Sequence, residues 1–328
     1  HHTGESPEAE AFADVGKLIV DEQIAIFGEA PRFDDGRYVF LVDALPWSNG
    51  DGMEHRNSTI VATRGTVKDR FGGLAGTMSH EFFHAWNVER IRPASLEPFD
   101  LEAANVSGEL WFAEGFTSYY GGLTMVRIGV EDLEEFGETL GWFVGQMVNA
   151  PGVKLRSPVE MSTRAPFVDA ANANDPTNRS NTFVSYYTYG AALALGLDLK
   201  LRTELEGVTL DDFMAAAWRE FGTTETPYTN DDLRRLLGEV TGSLEFADEF
   251  FEQSIYGRQP PDYESLLAGF GMRVRLRNPG DAWLGSGWIE FEAADEGDKD
   301  SKAGFRLRGV PILDGPLHRA GVGRDDLL

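Results

Sequence analysis

Residues 80–84 read His-Glu-Phe-Phe-His, inside the run GTMSHEFFHAWNVERIRP. Residues four apart on a helix lie one turn above each other on the same face. A helix here would therefore aim the imidazoles of His80 and His84 at one point, with Glu81 turned toward the same cleft. Phe82 and Phe83 within the motif and Trp86 just after it imply burial, and the chain has only six histidines in all. Two buried imidazoles one turn apart need partners. A chain built around this turn must bring a further polar group to it from elsewhere in the sequence.

The spacing is the one a zinc peptidase requires: two neutral nitrogen ligands and a carboxylate beside them. A tetrahedral catalytic site takes a third protein ligand and leaves the fourth position to water. No other histidine lies suitably downstream before His318, which points to a carboxylate among Glu89, Glu97, Glu102, Glu109 and Glu114. Glu109 is explained by the first turn of a helix, where an acid complements the dipole. Glu97 and Glu102 lie in an acidic loop. Glu114 sits inside LWFAEGFTSYY, an apolar and aromatic helical run. A carboxylate there is costly unless it is paired or bound to a metal, and Glu114 is the expected ligand.

Around this centre, the apolar spacing of residues 6–28 predicts an amphipathic helix. RYVFLVDAL (37–45) and STIVAT (58–63) predict strands, joined by the Gly-rich connection PWSNGDGMEHRN. Residues 68–88 predict the helix of the motif, 92–108 a loop, and 109–127 another helix. From there to about residue 270 the pattern is mostly helical, with a polar insertion at 168–182 and a strongly apolar helix at 189–205. TLDDFMAAAWREF and TNDDLRRLLGEV are shorter helices with Thr or Asn caps. After Pro279 the sequence alternates aromatic, aliphatic and charged residues around a Gly/Asp/Lys turn, which predicts a hairpin of a separate β-rich unit.

The net charge of −25 excludes affinity for nucleic acid and for anionic membranes, and no apolar run is long enough to span a bilayer. Without cysteine there are no disulfides and no thiolate ligands or nucleophiles, a fact that selects no compartment. A periplasmic or secreted setting is the expectation; His1 and His2 have the look of a tag remnant and are set aside.

SHEFFHAWNVERIRP, LWFAEGFTSYYGG and SYYTYGAALALGLDLKLR, in this order, resemble the catalytic domain of the M61 glycyl aminopeptidases, over roughly residues 10–270. The resemblance implies an α+β fold: a mainly helical, thermolysin-like zincin domain (1–278) with a small N-terminal β-sheet. It implies Zn²⁺ on His80, His84 and Glu114, with Glu81 as general base. The aminopeptidase N relatives carry their third ligand at a shorter spacing, which here falls on Ala103. The longer gap fits the M61 pattern and sets loop 92–108 beside the site.

In the related aminopeptidases, a tyrosine three residues before a glycine supplies the oxyanion donor. SYYTYG matches at Tyr187, with Tyr186 and Tyr189 as the alternatives; the lysine that relatives carry before the glycine is Tyr189 here. GDGMEH (50–55) resembles their exopeptidase motif. A Gly-rich edge at Gly52 and Met53 admits a peptide backbone, and Glu54 can hold a free N-terminal ammonium. His55 reads as a loop histidine, and Arg90 and Arg92 as ion-pair partners of the acidic loop. GPLHRAGVGRDDLL resembles part of a bacterial PDZ domain, which makes 279–328 a partial PDZ-like unit.

The expectation is a zinc aminopeptidase acting on peptides with a free N-terminus and favouring small residues such as Gly or Ala; the oligomeric state is left open. The alternatives are a zinc endopeptidase, in which Glu54 only lines the cleft, and a peptide-binding protein using the PDZ-like unit with a structural zinc. An intact Glu81 argues against the last, since a structural site needs no base.

Overall fold

The computed structural model describes residues 7–168, 178–285 and 303–328, with the backbone path of 289–292. Helix α1 (Pro7–Phe27) buries Phe12, Gly16, Ile19, Gln23, Ile26 and Phe27, a stripe with steps of three and four. It stops at Gly28, whose φ of +85° suits glycine and whose N–H closes on the Ile24 carbonyl.

Strands β1 (Val39–Leu45), β2 (Asp51–His55) and β3 (Ser58–Arg64) form one sheet in the order β1-β3-β2. β1 runs parallel to β3 with Leu41 opposite Ile60, while β2 returns antiparallel with Met53 opposite Ile60. β2 is therefore an edge strand. Its sequence, with Gly52 and one apolar residue, reads as a connection. Pairing with β3 and packing against the motif helix override that weak local preference.

The motif helix is α2 (Phe71–Phe83), ending five residues before the predicted boundary in a run of turns to Arg90. Gln23 of α1 anchors it by donating to the Ser79 carbonyl (2.7 Å) and hydroxyl (3.1 Å). The single helix expected at 109–127 is two pieces, α3 (Leu110–Ala113) and α4 (Gly115–Arg127), with the step at Glu114. The step has an evident partner: the side-chain amide of Asn87 donates to the carbonyls of Phe112 (3.1 Å) and Ala113 (3.3 Å).

Next come α5 (Leu133–Asn149), the short α6 (Pro158–Ser162), α7 (Ala165–Val168) and α8 (Arg179–Thr182), then α9 (Tyr186–Glu204). Helix α9 is buried nearly all round, with α3, α4, α5 and α13 (Tyr263–Ala268) packed on it. Its Ala- and Leu-rich sequence fits a central position better than a one-sided surface helix. Helices α10 (Leu210–Ala217) and α11 (Asn230–Thr241) start at Thr209 and Thr229, each in a reciprocal capping box with an aspartate at the third helical position. Helix α12 (Leu244–Phe250) follows α11 and packs on it.

Residues 268–284 are exposed throughout and lead to β4 (Ile289–Glu292) and β5 (Gly304–Leu307), an antiparallel pair as expected, and to the short α14 (Pro316–Arg319). The predicted turn of that hairpin and most of the polar insertion (169–177) lie outside the described residues. The C-terminal segment is tied to the helical body by Asn181, which donates to the Pro311 carbonyl (2.8 Å) and accepts from the Leu313 N–H (2.9 Å).

Candidate active site and metal centre

His80 lies in the last turn of α2, and His84 caps that helix with φ −62° and ψ −18°, still helical enough to keep one face. Their Nε2 atoms are 3.1 Å apart. Glu114 Oε2 lies 3.4 Å from His80 Nε2 and 3.2 Å from His84 Nε2. Ligands at 2.0–2.1 Å around a tetrahedral ion stand roughly 3.3 Å apart, so the triangle has the size of three metal ligands. Its chemistry agrees. His84 Nδ1 lies 2.6 Å from the Asn87 carbonyl, which can only accept, so the proton sits on Nδ1 and the Nε2 lone pair faces the centre. Glu114 Oε2 is buried and makes no hydrogen bond of good geometry. Three ligand atoms thus converge in a buried space, an arrangement a cation suits. Proton and metal compete for it: burial pushes His84 down, but Glu114 pulls it up to about 10, so loading a cation releases a proton.

Asn87 holds both sides of the centre. Its carbonyl orients His84, and its amide donates to Phe112 and Ala113, next to Glu114. The Thr117 hydroxyl donates to the Ala113 carbonyl (2.6 Å) and completes the joint.

Glu81, between the two histidines, is 6% exposed, and its Oε2 has no hydrogen-bond partner. Burial pushes its carboxyl up to about 7, with Glu54, Glu114 and Asp51 adding to the rise and His84 opposing it. That is near the value at which a carboxylate both accepts and returns a proton at neutral pH. Donor atoms of Glu54, Glu81 and His84 lie within 4.8 Å of one another. Among the described residues Glu54 makes no ion pair.

Gly52 explains how the strand comes so close. A Cβ at Gly52 would lie 2.2 Å from Glu81 Oε1, so only glycine lets β2 lie against this carboxylate. Met53, grouped with Gly52 and Glu54 in the sequence, alternates with them along the strand. Its side chain is on the other face and 56% exposed, and its carbonyl accepts from the Thr59 hydroxyl (2.8 Å). His55 shares that outer, exposed face.

Of the three tyrosines, Tyr186 and Tyr189 are 3% and 1% exposed, whereas Tyr187 is 37% exposed. The Tyr187 ring lies nearly parallel to that of His80, with centroids 6.0 Å apart. Two other expectations change. Glu109 sits at the N-cap of α3 and belongs to a buried cluster: it accepts from the Ser95 and Ser107 hydroxyls (2.8 and 2.9 Å) and the Asn230 amide (3.1 Å). Arg92 pairs with Glu97 of the acidic loop at 2.8 Å, as expected, but Arg90 does not. Arg90 is 2% exposed and donates to the carbonyls of Ala85 (2.7 Å), Arg32 (2.6 Å) and Arg56 (3.2 Å). It clamps the exit of α2 to the turn of the β2–β3 hairpin.

Sequence reasoning passed over the roles of Asn87 and Arg90 and the contact of Gly115 with Gly190. The signal for Asn87 and Arg90 was their place just after the motif; the glycine pair had none, being distant in sequence.

Residues 73–193 match the M61 glycyl aminopeptidase family. The fold is similar to the crystal structure of an aminopeptidase N family protein from Idiomarina loihiensis, with a TM-score of 0.74 and 24% identity over 97% of this chain and 55% of that one. Native yeast LTA4 hydrolase overlaps 76% of this chain and 35% of its own, at 20% identity and a TM-score of 0.48. The chain thus spans about half the length of the Idiomarina protein, 55% by coverage. No curated protein matches it.

Proposed function

We propose that the chain, whose residues 73–193 match the M61 glycyl aminopeptidase family, is a zinc-dependent aminopeptidase: it hydrolyses the N-terminal peptide bond, with small residues such as Gly or Ala favoured. The single observation that carries this reading is the juxtaposition of two sets. The donor triangle of His80, His84 and Glu114 (3.1–3.4 Å) lies beside the buried Glu81, and Glu54, without an ion pair among the described residues, lies within 4.8 Å of Glu81 and His84.

His80, His84 and Glu114 would hold the zinc, which when bound supplies a Lewis acid and water of lowered pKa. Glu54 takes the substrate's α-ammonium and thereby places the first peptide bond, and no other, over the centre. Gly52 leaves the room for that approach. Glu81 accepts a proton from the attacking water and returns it to the leaving amine, a double task suited to a carboxyl pushed up to about 7. Tyr187 donates its phenol to the developing oxyanion. The division of the chain at residue 278, with a PDZ-like unit after it, is part of the same proposal.

Metal analysis combined with digestion of free and N-acetylated peptides, read by mass spectrometry, tests the reading. About one zinc per chain and stepwise removal of N-terminal residues from free peptides alone support it. Equal cleavage of both sets at internal bonds replaces it with an endopeptidase.

A further inference from the structure

The carboxylates outside the donor triangle form a second group beside it. Donor atoms of Glu54, Glu81 and His84 lie within 4.8 Å of one another, carried by β2, α2 and the cap of α2. His84 is already committed: its Nδ1 lies 2.6 Å from the Asn87 carbonyl, and its Nε2 belongs to the triangle, 3.2 Å from Glu114. Glu54 and Glu81 are not committed. Glu81 is 6% exposed, and its Oε2 is buried without a hydrogen bond. Its Oε1 lies against Gly52 of β2, the strand that also carries Glu54. Glu54 is half-buried, with no ion pair among the described residues.

Two carboxylates held side by side repel each other, and a buried one without a partner costs free energy until something positive joins it. Burial raises the Glu81 carboxyl most; Glu54, Glu114 and Asp51 add to the rise, and only His84 opposes it, with no Lys or Arg among these groups. Glu54, Glu81 and Glu114 together carry more negative charge than one zinc ion offsets. The excess is what the α-ammonium of a substrate meets, and without substrate no basic side chain among these groups supplies a counter-charge.

We propose that, in the absence of substrate, Glu54 and Glu81 hold a second divalent cation beside the first, and that this ion excludes the substrate's α-ammonium. The effect on substrate rests on the aminopeptidase reading; the binding of the ion does not. Its protein ligands are carboxylate oxygens alone, which suit a hard cation such as Mn²⁺ or Ca²⁺, whereas the imidazoles of the triangle suit zinc. A Glu81 carboxylate bound to this ion no longer accepts a proton from water, and Glu54 no longer takes an ammonium. One ion thus shuts off both the base and the anchor, and turnover follows the divalent cation level around the protein.

Titration of the zinc-loaded protein with MnCl2 tests this, with free Mn²⁺ read by electron paramagnetic resonance. Mn²⁺ stands below zinc in affinity for such donors and leaves the first ion in place, which metal analysis of the same samples verifies. In about 0.15 M KCl, which screens weak binding to the acidic surface, the protein should take up about one Mn²⁺ per chain saturably. Glu54→Gln and Glu81→Gln should each weaken that uptake by at least about tenfold while keeping their zinc, since each removes a charged ligand. Glu134→Gln, exposed in the first turn of α5, should change nothing and sets the surface background. In turnover, Mn²⁺ should raise KM for free-amine peptides and leave kcat unchanged. No saturable uptake, or equal uptake by Glu54→Gln and Glu134→Gln, overturns the proposal, as does inhibition expressed in kcat alone. Cleavage at internal bonds overturns the aminopeptidase reading instead, and leaves the Mn²⁺ titration as it stands.

Discussion

A side chain on Gly115 would have to occupy the place of Gly190: a Cβ there would lie 2.2 Å from the Gly190 Cα. Conversely, a Cβ on Gly190 would lie 1.8 Å from the Trp111 carbonyl oxygen. Helix α9 therefore crosses the α3–α4 step backbone against backbone. The crossing lies one residue from Glu114, which approaches His80 and His84, and three from Tyr187, whose ring stacks on His80, although the two elements are far apart in sequence. Gly190→Ala must push the helices apart. Expected is a loss of roughly 3 kcal/mol or more, read as a fall in Tm, together with weaker metal binding. Gly137→Ala is the control: it lies on the exposed face of α5 with nothing near its Cβ, and should raise stability by about 0.5–1 kcal/mol.

Two nearby glutamates should separate cleanly. Glu114→Ala removes one corner of the donor triangle, and metal analysis after dialysis should find the zinc gone along with activity. Glu109→Ala leaves Ser95, Ser107 and Asn230 without their acceptor, which costs roughly 3 kcal/mol in chemical denaturation but leaves the metal in place. Retention of zinc by the first variant and loss by the second would reverse the assignment.

Glu81→Gln keeps the volume of the side chain and does not touch the three donors. Zinc content should be unchanged while turnover falls by at least ~100-fold. Tyr187→Phe should lower kcat by a factor of roughly ten to a thousand with little change in KM, as removal of an oxyanion donor does. A normal kcat in the Phe variant would leave the ring of Tyr187 as packing for His80 and nothing more.

Glu54→Ala should lose about ten- to a hundredfold in kcat/KM on free-amine peptides and little on acetylated ones, which never carried the charge. Arg90→Met tests the same hold from behind. It removes the donor shared by Ala85, Arg32 and Arg56, so the β2–β3 hairpin is no longer tied to the exit of α2. Stability should fall by roughly 3 kcal/mol, and the preference for free over acetylated peptides should shrink with it. A loss of rate in equal proportion on both substrates would make Arg90 a stabilising residue with no part in placing Glu54.

Much of this centre was legible in the sequence because its signals are local or carry a large energetic penalty. His80 and His84 are one helical turn apart, a spacing that survives any tertiary context as long as the helix forms. Glu114 stood out because an acid in an apolar, aromatic run must find a partner. Helix α9 announced itself by composition, and Thr209 and Thr229 by capping chemistry. The tertiary structure decided what depends on contacts between distant segments. Strand β2 exists because β3 and α2 hold it, against its own weak preference. Met53 and Glu54, neighbours in the chain, part company on the two faces of that strand. Tyr187 rather than Tyr186 or Tyr189 stacks on His80 because Gly190 sets how α9 crosses the α3–α4 step. Asn87 and Arg90 are ordinary polar residues in a one-dimensional reading; their meaning lies in the carbonyls they reach, and backbone carbonyls carry no sequence signal. A motif records which groups the chemistry needs, whereas their distances arise from packing, which sums over residues that no short pattern contains.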